Sequence, residues 1–257
     1  MTHLTVPDFS LANRIVMITG AGRGIGRACA LAAAGVGADI AVCDRNETAA
    51  DEVTREIEAA GRKAFSCVVD VTDANSVATS VAKVEDRFGR IDVLVNNVGI
   101  SRQGPAEDVS EEDFDAIVAT NLKGTFLVTK SVARGMLQRR SGRIVNISSQ
   151  AGIVTLAGEA IYCMTKAAIN HLTRCLAAEW GPRGVAVNSV APTFIRTDST
   201  RAFLAIPENY QRTVGHIPLG RVGEVSDVTG AVIFLASEAG SLANGSNLVI
   251  DGGWSVA

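Results

Sequence analysis

A doubly wound α/β domain, with a parallel sheet of about seven strands and helices on both faces, is the fold this sequence predicts. Three observations predict it. Short runs rich in Val and Ile alternate with longer stretches of helical periodicity. Those runs are apolar throughout, as strands covered on both faces are, rather than at every second residue. A glycine-rich segment directly follows the first run and opens the first helical stretch. The chain has 257 residues, 47% apolar and 20% charged. That is enough to bury a large core, and too apolar for a disordered chain.

The elements follow in order. Arg14 to Thr19 reads as the first strand and Ile25 to Val36 as an Ala-rich helix. Asp39 to Cys43 is the second strand. Thr48 to Ala60 has helical periodicity and stops at Gly61, a natural helix end. Ala64 to Val69 is a strand, Ser76 to Phe88 a helix stopped by Gly89, and Ile91 to Asn96 a strand. Glu111 to Arg140 is a long helical region, interrupted near Gly124. Arg143 to Ile147 is the fifth strand. Ile161 to Trp180 is a long helix ending at Gly181 and Pro182. Val185 to Val190, Val225 to Ser237 and Asn247 to Ile250 complete the series as strand, helix and strand. Right-handed crossovers between parallel strands then wind helices onto both faces. No Pro- or Ser-rich linker and no repeat divides the chain, so residues 1–257 read as one domain. Thr193 to Gly220 is polar, carries Pro207 and Pro218, and lacks a clear period. A long connection of that kind reads as a substrate loop or lid.

Composition excludes several classes. The formal net charge is −3, which leaves no basic footprint for nucleic acid. The longest apolar run, Ala28 to Ala38, is far short of the roughly 20 residues of a bilayer span, so no membrane partner is expected. The opening MTHLTVPDFS lacks the basic and apolar regions of a signal peptide, so a cytoplasmic location is expected. Cys29, Cys43, Cys67, Cys163 and Cys175 are odd in number and scattered, and read as buried small hydrophobes in a reducing compartment. His3, His171 and His216 are too dispersed for a metal site by spacing.

The candidate cofactor end lies at TGAGRGIG, Thr19 to Gly26. Gly20, Gly24 and Gly26 let the backbone turn tightly and approach a pyrophosphate. The helix that follows turns free N–H groups and a positive dipole end toward that anion. Arg23 and Ile25 lie between those glycines and belong to the same candidate site. Asp44 ends the second strand, where a carboxylate reaches the adenosine ribose hydroxyls of a Rossmann-type dinucleotide site. It would face the 2′-phosphate of NADP, which predicts NAD, with NADP the lesser cofactor. Arg23 and Arg45 argue the other way, since either reaches toward a phosphate. Asp70 and Val71 end the third strand and Asn97 to Gly99 the fourth, and ligands sit at carboxyl ends of strands.

The candidate chemistry lies further on. Tyr162 and Lys166 are spaced i, i+4 and share one helical face. An ammonium near a phenol favours phenolate, so Lys166 is expected to lower the Tyr162 pKa from about 10 toward an acid/base range. Only two tyrosines occur in the chain, which limits chance matches. Ser149 ends the fifth strand and is placed to hydrogen-bond a substrate oxygen, though alone it reads as a turn hydroxyl. Asn121 sits inside a helical region where asparagine is a poor helix former.

Together TGAGRGIG, NNVG, Asn121, Ser149 and YCMTK, in this order and spacing, resemble the short-chain dehydrogenase/reductase family. The resemblance runs from Leu11 through the terminal DGGW, Asp251 to Trp254. It implies that Asn121, Ser149, Tyr162 and Lys166 form a catalytic tetrad. By it, Tyr162 exchanges a proton with the substrate oxygen, Ser149 polarises that oxygen, Lys166 also binds the nicotinamide ribose, and Asn121 positions a proton-relaying water. It further implies cofactor contacts at Pro192, Ile195 and Thr197. Val98, Cys163, Met164 and Thr193 depart from the family's usual residues, Thr193 standing where the family usually has Gly. The implied activity interconverts a secondary alcohol and a ketone on a small-molecule substrate. In the lid, Arg196, Asp198, Arg201, Asn209, Arg212 and His216 suit a polyol, sugar or hydroxy acid, and AAEWGPRG resembles members acting on sugars and polyols. The alternative is a 3-oxoacyl-thioester reductase of fatty-acid type, and a remote one is a non-catalytic NAD-binding sensor. A homotetramer is implied by the two long helical regions, which family members pair across a two-fold axis, by the terminal DGGW region, which often makes a second contact in the family, and by a mean hydropathy of +0.22.

Overall fold

The computed structural model describes residues 6–257; His3 lies outside the described residues. The strands are β1 (Ile15–Thr19), β2 (Asp39–Asp44), β3 (Ala64–Val68), β4 (Val93–Asn96), β5 (Gly142–Ile147), β6 (Val185–Pro192) and β7 (Asn247–Ile250). All pair in parallel, in the order β3-β2-β1-β4-β5-β6-β7. The winding direction reverses between β1 and β4, whose registers meet at Val16 and Val93. Such a reversal opens a crevice at the carboxyl ends of the strands.

Helices cover both faces. Helices α1 (Gly24–Gly35) and α2 (Glu47–Ala59) lie with the later helix Val225–Ala236 on one face. There they bury Val16, Ile18, Ile40, Val42, Val93 and Val95. Helix α3 (Ala74–Phe88) and the helices Thr125–Arg139 and Ala160–Trp180 cover the other face, burying Met17, Ala41, Cys43 and Leu94. Successive strand residues therefore alternate between two apolar layers, which is why each strand reads as a continuous apolar run.

The expected break near Gly124 is a π-helical turn, Ala119–Gly124, between α4 (Glu111–Val118) and α5 (Thr125–Arg139). A Cβ at Gly124 would press on Val71, 2.8 Å from its Cγ2. After α5, β5 leads to α6 (Ala160–Trp180). Between these layers lies a buried polar set at the β4 and β5 ends. Asn96 Nδ2 donates to Thr129 Oγ1 at 2.8 Å and to Asn146 Oδ1 at 2.9 Å, and Asn146 Nδ2 donates to Thr173 Oγ1 at 3.0 Å.

Two expectations need correction. The segment from Thr193 to Gly220 is not periodless loop but holds two short helices, α7 (Asp198–Leu204) and α8 (Pro207–Gly215). They are started by local chemistry rather than by periodicity. Thr197 and Thr200 exchange side-chain-to-backbone bonds in a reciprocal cap, and Pro207 sits at the first position of α8. Their apolar residues pack with Phe194 and Trp254 into a separate small cluster containing Leu204, Ile217 and Val222. Nor are all five cysteines buried. Cys29, Cys43 and Cys67 are buried, but Cys163 is half-buried and Cys175 exposed on α6, because their positions fall on outward parts of that helix. The last helix, α9 (Val225–Ala236), starts at a reciprocal cap between Glu224 and Asp227.

The glycine-rich connection after β1 is tight. A Cβ at Gly26 would overlap the Gly20 carbonyl oxygen and crowd Asn97 Nδ2. At Gly35, at the other end of the same helix, nothing lies within 4 Å of such a Cβ. Gly26→Ala is therefore expected to destabilise by about 1–3 kcal/mol through overpacking. Gly35→Ala should be neutral or stabilising by up to about 1 kcal/mol through reduced chain entropy. At about 2–4 °C per kcal/mol for a chain of this size, thermal unfolding separates the two. Equal melting temperatures would contradict the close approach.

Candidate active site

The site forms at the carboxyl ends of β1, β2, β4, β5 and β6. Its first part is the glycine loop. Gly20 and Gly24 take φ of +64° and +55°, backbone that side chains rarely adopt. Asn97 holds the loop from the end of β4. Its Nδ2 donates to the carbonyls of Thr19 and Gly20 at 3.2 and 3.0 Å, and its backbone N–H donates to Thr19 Oγ1 at 3.2 Å. The N-terminus of α1, which begins as Arg23-Gly24-Ile25-Gly26, has no side-chain cap and no acidic residue in its first turn. Helices α2, α3 and α4 are capped by Asn46, Asp73 and Ser110. The α1 end is thus a cradle of free N–H groups that a Cβ would fill, and it fits a pyrophosphate.

Asp44 stands beside that cradle. Its Oδ2 accepts from the Gly22 N–H at 2.9 Å and its Oδ1 from the Asn46 N–H at 2.9 Å. The carboxylate braces the loop while remaining partly exposed. Arg23 and Arg45 are exposed nearby in the chain. At the end of β3, Asp70 accepts from the Thr72 N–H at 2.9 Å and the Thr72 hydroxyl at 2.7 Å. Those bonds hold its carboxyl below the usual range. Val71 is buried against Gly124. Across the crevice, a Cβ at Gly24 would lie 3.6 Å from Thr197 Cγ2, so the start of the lid meets the glycine loop. Ile195, buried, bridges to Gly223.

The second part gathers the four polar residues. Lys166 is 4% exposed, and its Nζ donates to the Ile147 carbonyl at 2.9 Å. It stands 5.5 Å from the centroid of the Tyr162 ring. The space at Gly99 is bounded by Lys166 Nζ and Asn121 Oδ1, 3.3 and 3.6 Å from where a Cβ would be. Asn121 Oδ1 accepts from the Ile100 N–H at 2.8 Å, while its Nδ2 donates to the Ile100 carbonyl at 2.9 Å and to Thr165 Oγ1 at 3.1 Å. Ser149 Oγ donates to Gln150 Oε1 at 3.2 Å, lies 3.5 Å from the Pro192 carbonyl, and accepts from the Ala151 N–H at 3.1 Å.

The ionisation of the pair differs from the i, i+4 expectation. Tyr162 is partly exposed as a residue, yet burial of its phenol pushes it up to about 12, against a lowering pull from Ser149. Burial pushes Lys166 down to about 8. Spacing placed the two side by side, but desolvation outweighs their attraction because the ammonium lies over the ring and is bound to Ile147. The side chain of Asn121 is likewise engaged by protein, with both amide N–H groups and one lone pair of its carbonyl bonded.

Most polar residues of the segment from Thr193 to Gly220 pair with protein. Arg196 meets Glu224 at 3.0 Å, Arg201 meets Asp198 at 2.5 Å, and Arg212 meets Asn209 at 3.0 Å. His216 is different. It stacks on Trp254 with ring centroids 4.9 Å apart. A cavity of about 470 Å³ opens there, lined by Val154, His216, Pro218 and Trp254 among others. Gln150 was not singled out by the sequence. It is 2% exposed, and its Nε2 has no partner. A buried donor left unmade costs about 1–3 kcal/mol. The only sequence signal was its position directly after Ser149.

Residues 20–255 match the family model described as Enoyl-(Acyl carrier protein) reductase. The chain is 40% identical over 258 residues to a gluconate 5-dehydrogenase of Gluconobacter oxydans, covering 100% of both chains. It is 41% identical over 246 residues to a 3-oxoacyl-[acyl-carrier-protein] reductase of Synechocystis sp., covering 95% of this chain and 98% of that one. Its fold superimposes with a TM-score of 0.94 on a gluconate 5-dehydrogenase from Burkholderia cenocepacia solved with NADP and tartrate, at 37% identity and 98% coverage of each chain. With a sheet wound in this order, a glycine cradle at its switch point, and similarity along nearly the whole chain, the protein belongs to the short-chain dehydrogenase/reductase family of NAD(P)-binding oxidoreductases.

Proposed function

We propose that the protein is a cytoplasmic NAD(P)-dependent dehydrogenase interconverting a secondary alcohol and a ketone on a polyol, sugar or hydroxy acid. The observation that carries this reading is that Ser149 and Lys166 both stand against Tyr162, with Lys166 also bounding the space at Gly99. The nicotinamide cofactor, when bound, supplies the hydride chemistry. Gly20, Arg23, Gly24, Ile25, Gly26, Asp44, Arg45, Asp70, Val71, Asn97, Gly99, Pro192, Ile195 and Thr197 are the residues that would hold it, with Tyr162 and Lys166 at its reactive end. Ser149 holds the reacting oxygen through its hydroxyl. A phenol pushed up to about 12 keeps its proton at neutral pH, so Tyr162 is the group that gives it to a ketone oxygen. In the opposite direction it receives the alcohol's proton as phenolate. Lys166 as ammonium stabilises that phenolate, which is the state in which the pair's attraction counts. Asn121 acts as a positioning residue, tying Ile100 to Thr165 on α6.

Similarity to the gluconate 5-dehydrogenases supports the polyhydroxylated substrate. The reductase of Synechocystis favours a second reading, a 3-oxoacyl-thioester reductase. Five cysteines that form no disulfide suit a reducing compartment. On a panel of sugar acids, polyols and 3-oxoacyl thioesters followed by nicotinamide absorbance, the native protein is expected to prefer the first two classes. Tyr162→Phe should lower kcat by about 10²- to 10⁴-fold with little change in NADH binding by fluorescence titration. Near-native turnover in this variant would reject the proton-transfer role. Preference for a thioester would select the second reading, and a panel without any turnover would favour a binding sensor.

NAD is the cofactor proposed over NADP. A carboxylate and a phosphate about 4 Å apart repel by roughly 4 kcal/mol per charge pair at an effective dielectric of 20. Tenfold selectivity needs only about 1.4 kcal/mol. Because Asp44 also braces Gly22 and Asn46, Asp44→Ser should weaken both cofactors. The selectivity ratio isolates the charge. The NAD-to-NADP ratio of kcat/KM should exceed one in the native protein and fall at least about tenfold in Asp44→Ser. A native preference for NADP would overturn the assignment.

Four subunits are proposed, paired through α4 to α6 and, by a second two-fold contact, through the terminal region Asp251 to Trp254. Phe114, Phe126 and Met164 are exposed on these helices, and apolar residues so placed suit an isologous contact. Light scattering at micromolar concentration should give a mass of four chains. A stable monomer would reject this arrangement.

A further inference from the structure

Glu159 is a charged residue beside the site that the tetrad does not use. It directly precedes α6, three positions before Tyr162. Its backbone carbonyl accepts from the Cys163 N–H at 2.8 Å, which fixes it to the first turn of that helix. Its side chain makes no cap there and reaches instead to the loop after β4, where the carboxylate accepts from the Ser101 hydroxyl. The Gly104 N–H donates to the Gly158 carbonyl at 3.0 Å, so loop and helix start are fastened at two points. Ser101 is two residues past Gly99, a reach of at most about 7 Å, and Gly99 borders the space bounded by Lys166 Nζ and Asn121 Oδ1. Glu159 and Ser101 are both half-buried, and so open to solvent. No Lys, Arg or His among the described residues pairs with the Glu159 carboxylate. The cation next to Ser101 in the chain, Arg102, meets Asp113 at 3.4 Å, and Lys166 is turned to the Ile147 carbonyl. The charge of Glu159 acts on the reacting group. Burial first, and that charge after it, raise the Tyr162 phenol above its ordinary value.

We infer that Glu159 is a specificity-determining residue that selects by charge, admitting uncharged polyols and their ketones and disfavouring substrates with a carboxylate near the reacting carbon. This narrows the substrate class of the proposed dehydrogenase, and it rests on the reading of Tyr162 as the group that takes the reacting oxygen. An uncharged polyol brings hydroxyls, which donate to a carboxylate. A hydroxy acid brings a second negative charge toward one that has no cation partner. Like charges in a partly desolvated site repel far more than in water. Specificity of this kind is built by a repulsive element against the wrong ligand as much as by attraction to the right one. Ser101 holds the carboxylate against the loop instead of leaving it free to swing into solvent.

The test compares probes matched in length, D-threitol with D-threonate and D-sorbitol with D-gluconate, each pair differing by one terminal carboxylate. Oxidation is followed by nicotinamide absorbance at saturating cofactor and about pH 8, where the probe carboxylates are ionised. The native protein is expected to favour the uncharged member of each pair. The margin should be wider in the shorter pair, whose carboxylate lies nearer the reacting carbon. Its kcat/KM for threonate should rise several-fold from low salt to about 0.5 M salt, as screening weakens the repulsion, with less change for threitol. This arm tests the charge without any substitution. Glu159→Gln keeps an acceptor for Ser101 and removes the charge. In it, kcat/KM for threonate should rise about tenfold and lose its salt dependence. A gain of activity on the acid is not a result that damage to the fold produces. A native preference for the acids, or a polyol-to-acid ratio unchanged in Glu159→Gln, overturns the inference and leaves the dehydrogenase reading standing. A native protein that oxidises none of the four probes overturns the polyol reading and this inference with it.

Discussion

The close approach of the first turn of α1 to the end of β1 is the contact on which the rest of the architecture depends. Gly26 sits against the Gly20 carbonyl with no room for a side chain. That contact fixes the angle at which α1 leaves the sheet, and so the direction of its free N–H groups. Asn97 fastens the same carbonyl from β4, so the strand across the topological switch point and the anion cradle are set as one unit. Asp44 reaches in from β2. Three neighbouring strands therefore converge on one loop, and its shape is over-determined before any ligand arrives.

A second layer of polar contacts orders the chemistry. Asn96, Asn146, Thr129 and Thr173 tie β4 and β5 to α5 and α6 inside the core. Just above them, Asn121 ties the π-helical turn to Ile100 and Thr165, and Lys166 is held by the carbonyl that ends β5. Burying polar groups is tolerated where each is bonded. The result is that α6, which carries Tyr162, is registered against the sheet by hydrogen bonds as well as by apolar packing.

Much of this was legible in the sequence. Strands buried on both faces announce themselves as unbroken apolar runs such as Ile15 to Thr19, and the glycine spacing marks the cradle because only missing side chains permit the Gly20–Gly26 contact. The break near Gly124 was legible for the same reason, since Val71 leaves no space there. What was hidden is long-range. The partners of Asn121 lie 21 and 44 residues away. The lid helices are too short to show a period, and they fold onto Trp254 from the far end of the chain. The burial that pushes Tyr162 up was not legible, because spacing reports proximity and says nothing of desolvation. Gln150 escaped notice because its significance is an unmade bond.

The stack of Trp254 on His216 and Phe194 makes the segment after β7 a clasp on the lid. Phe203 of α7 joins the same stack through Phe194. The lid is thus tethered three ways, to β6 where the chain enters it, to α9 where the chain leaves it, and to an aromatic latch from a remote part of the chain. Swinging it outward means unlatching the indole at the same moment. The short helices α7 and α8 and the segment after β7 are therefore held as one packed unit, although about 40 residues of chain separate them.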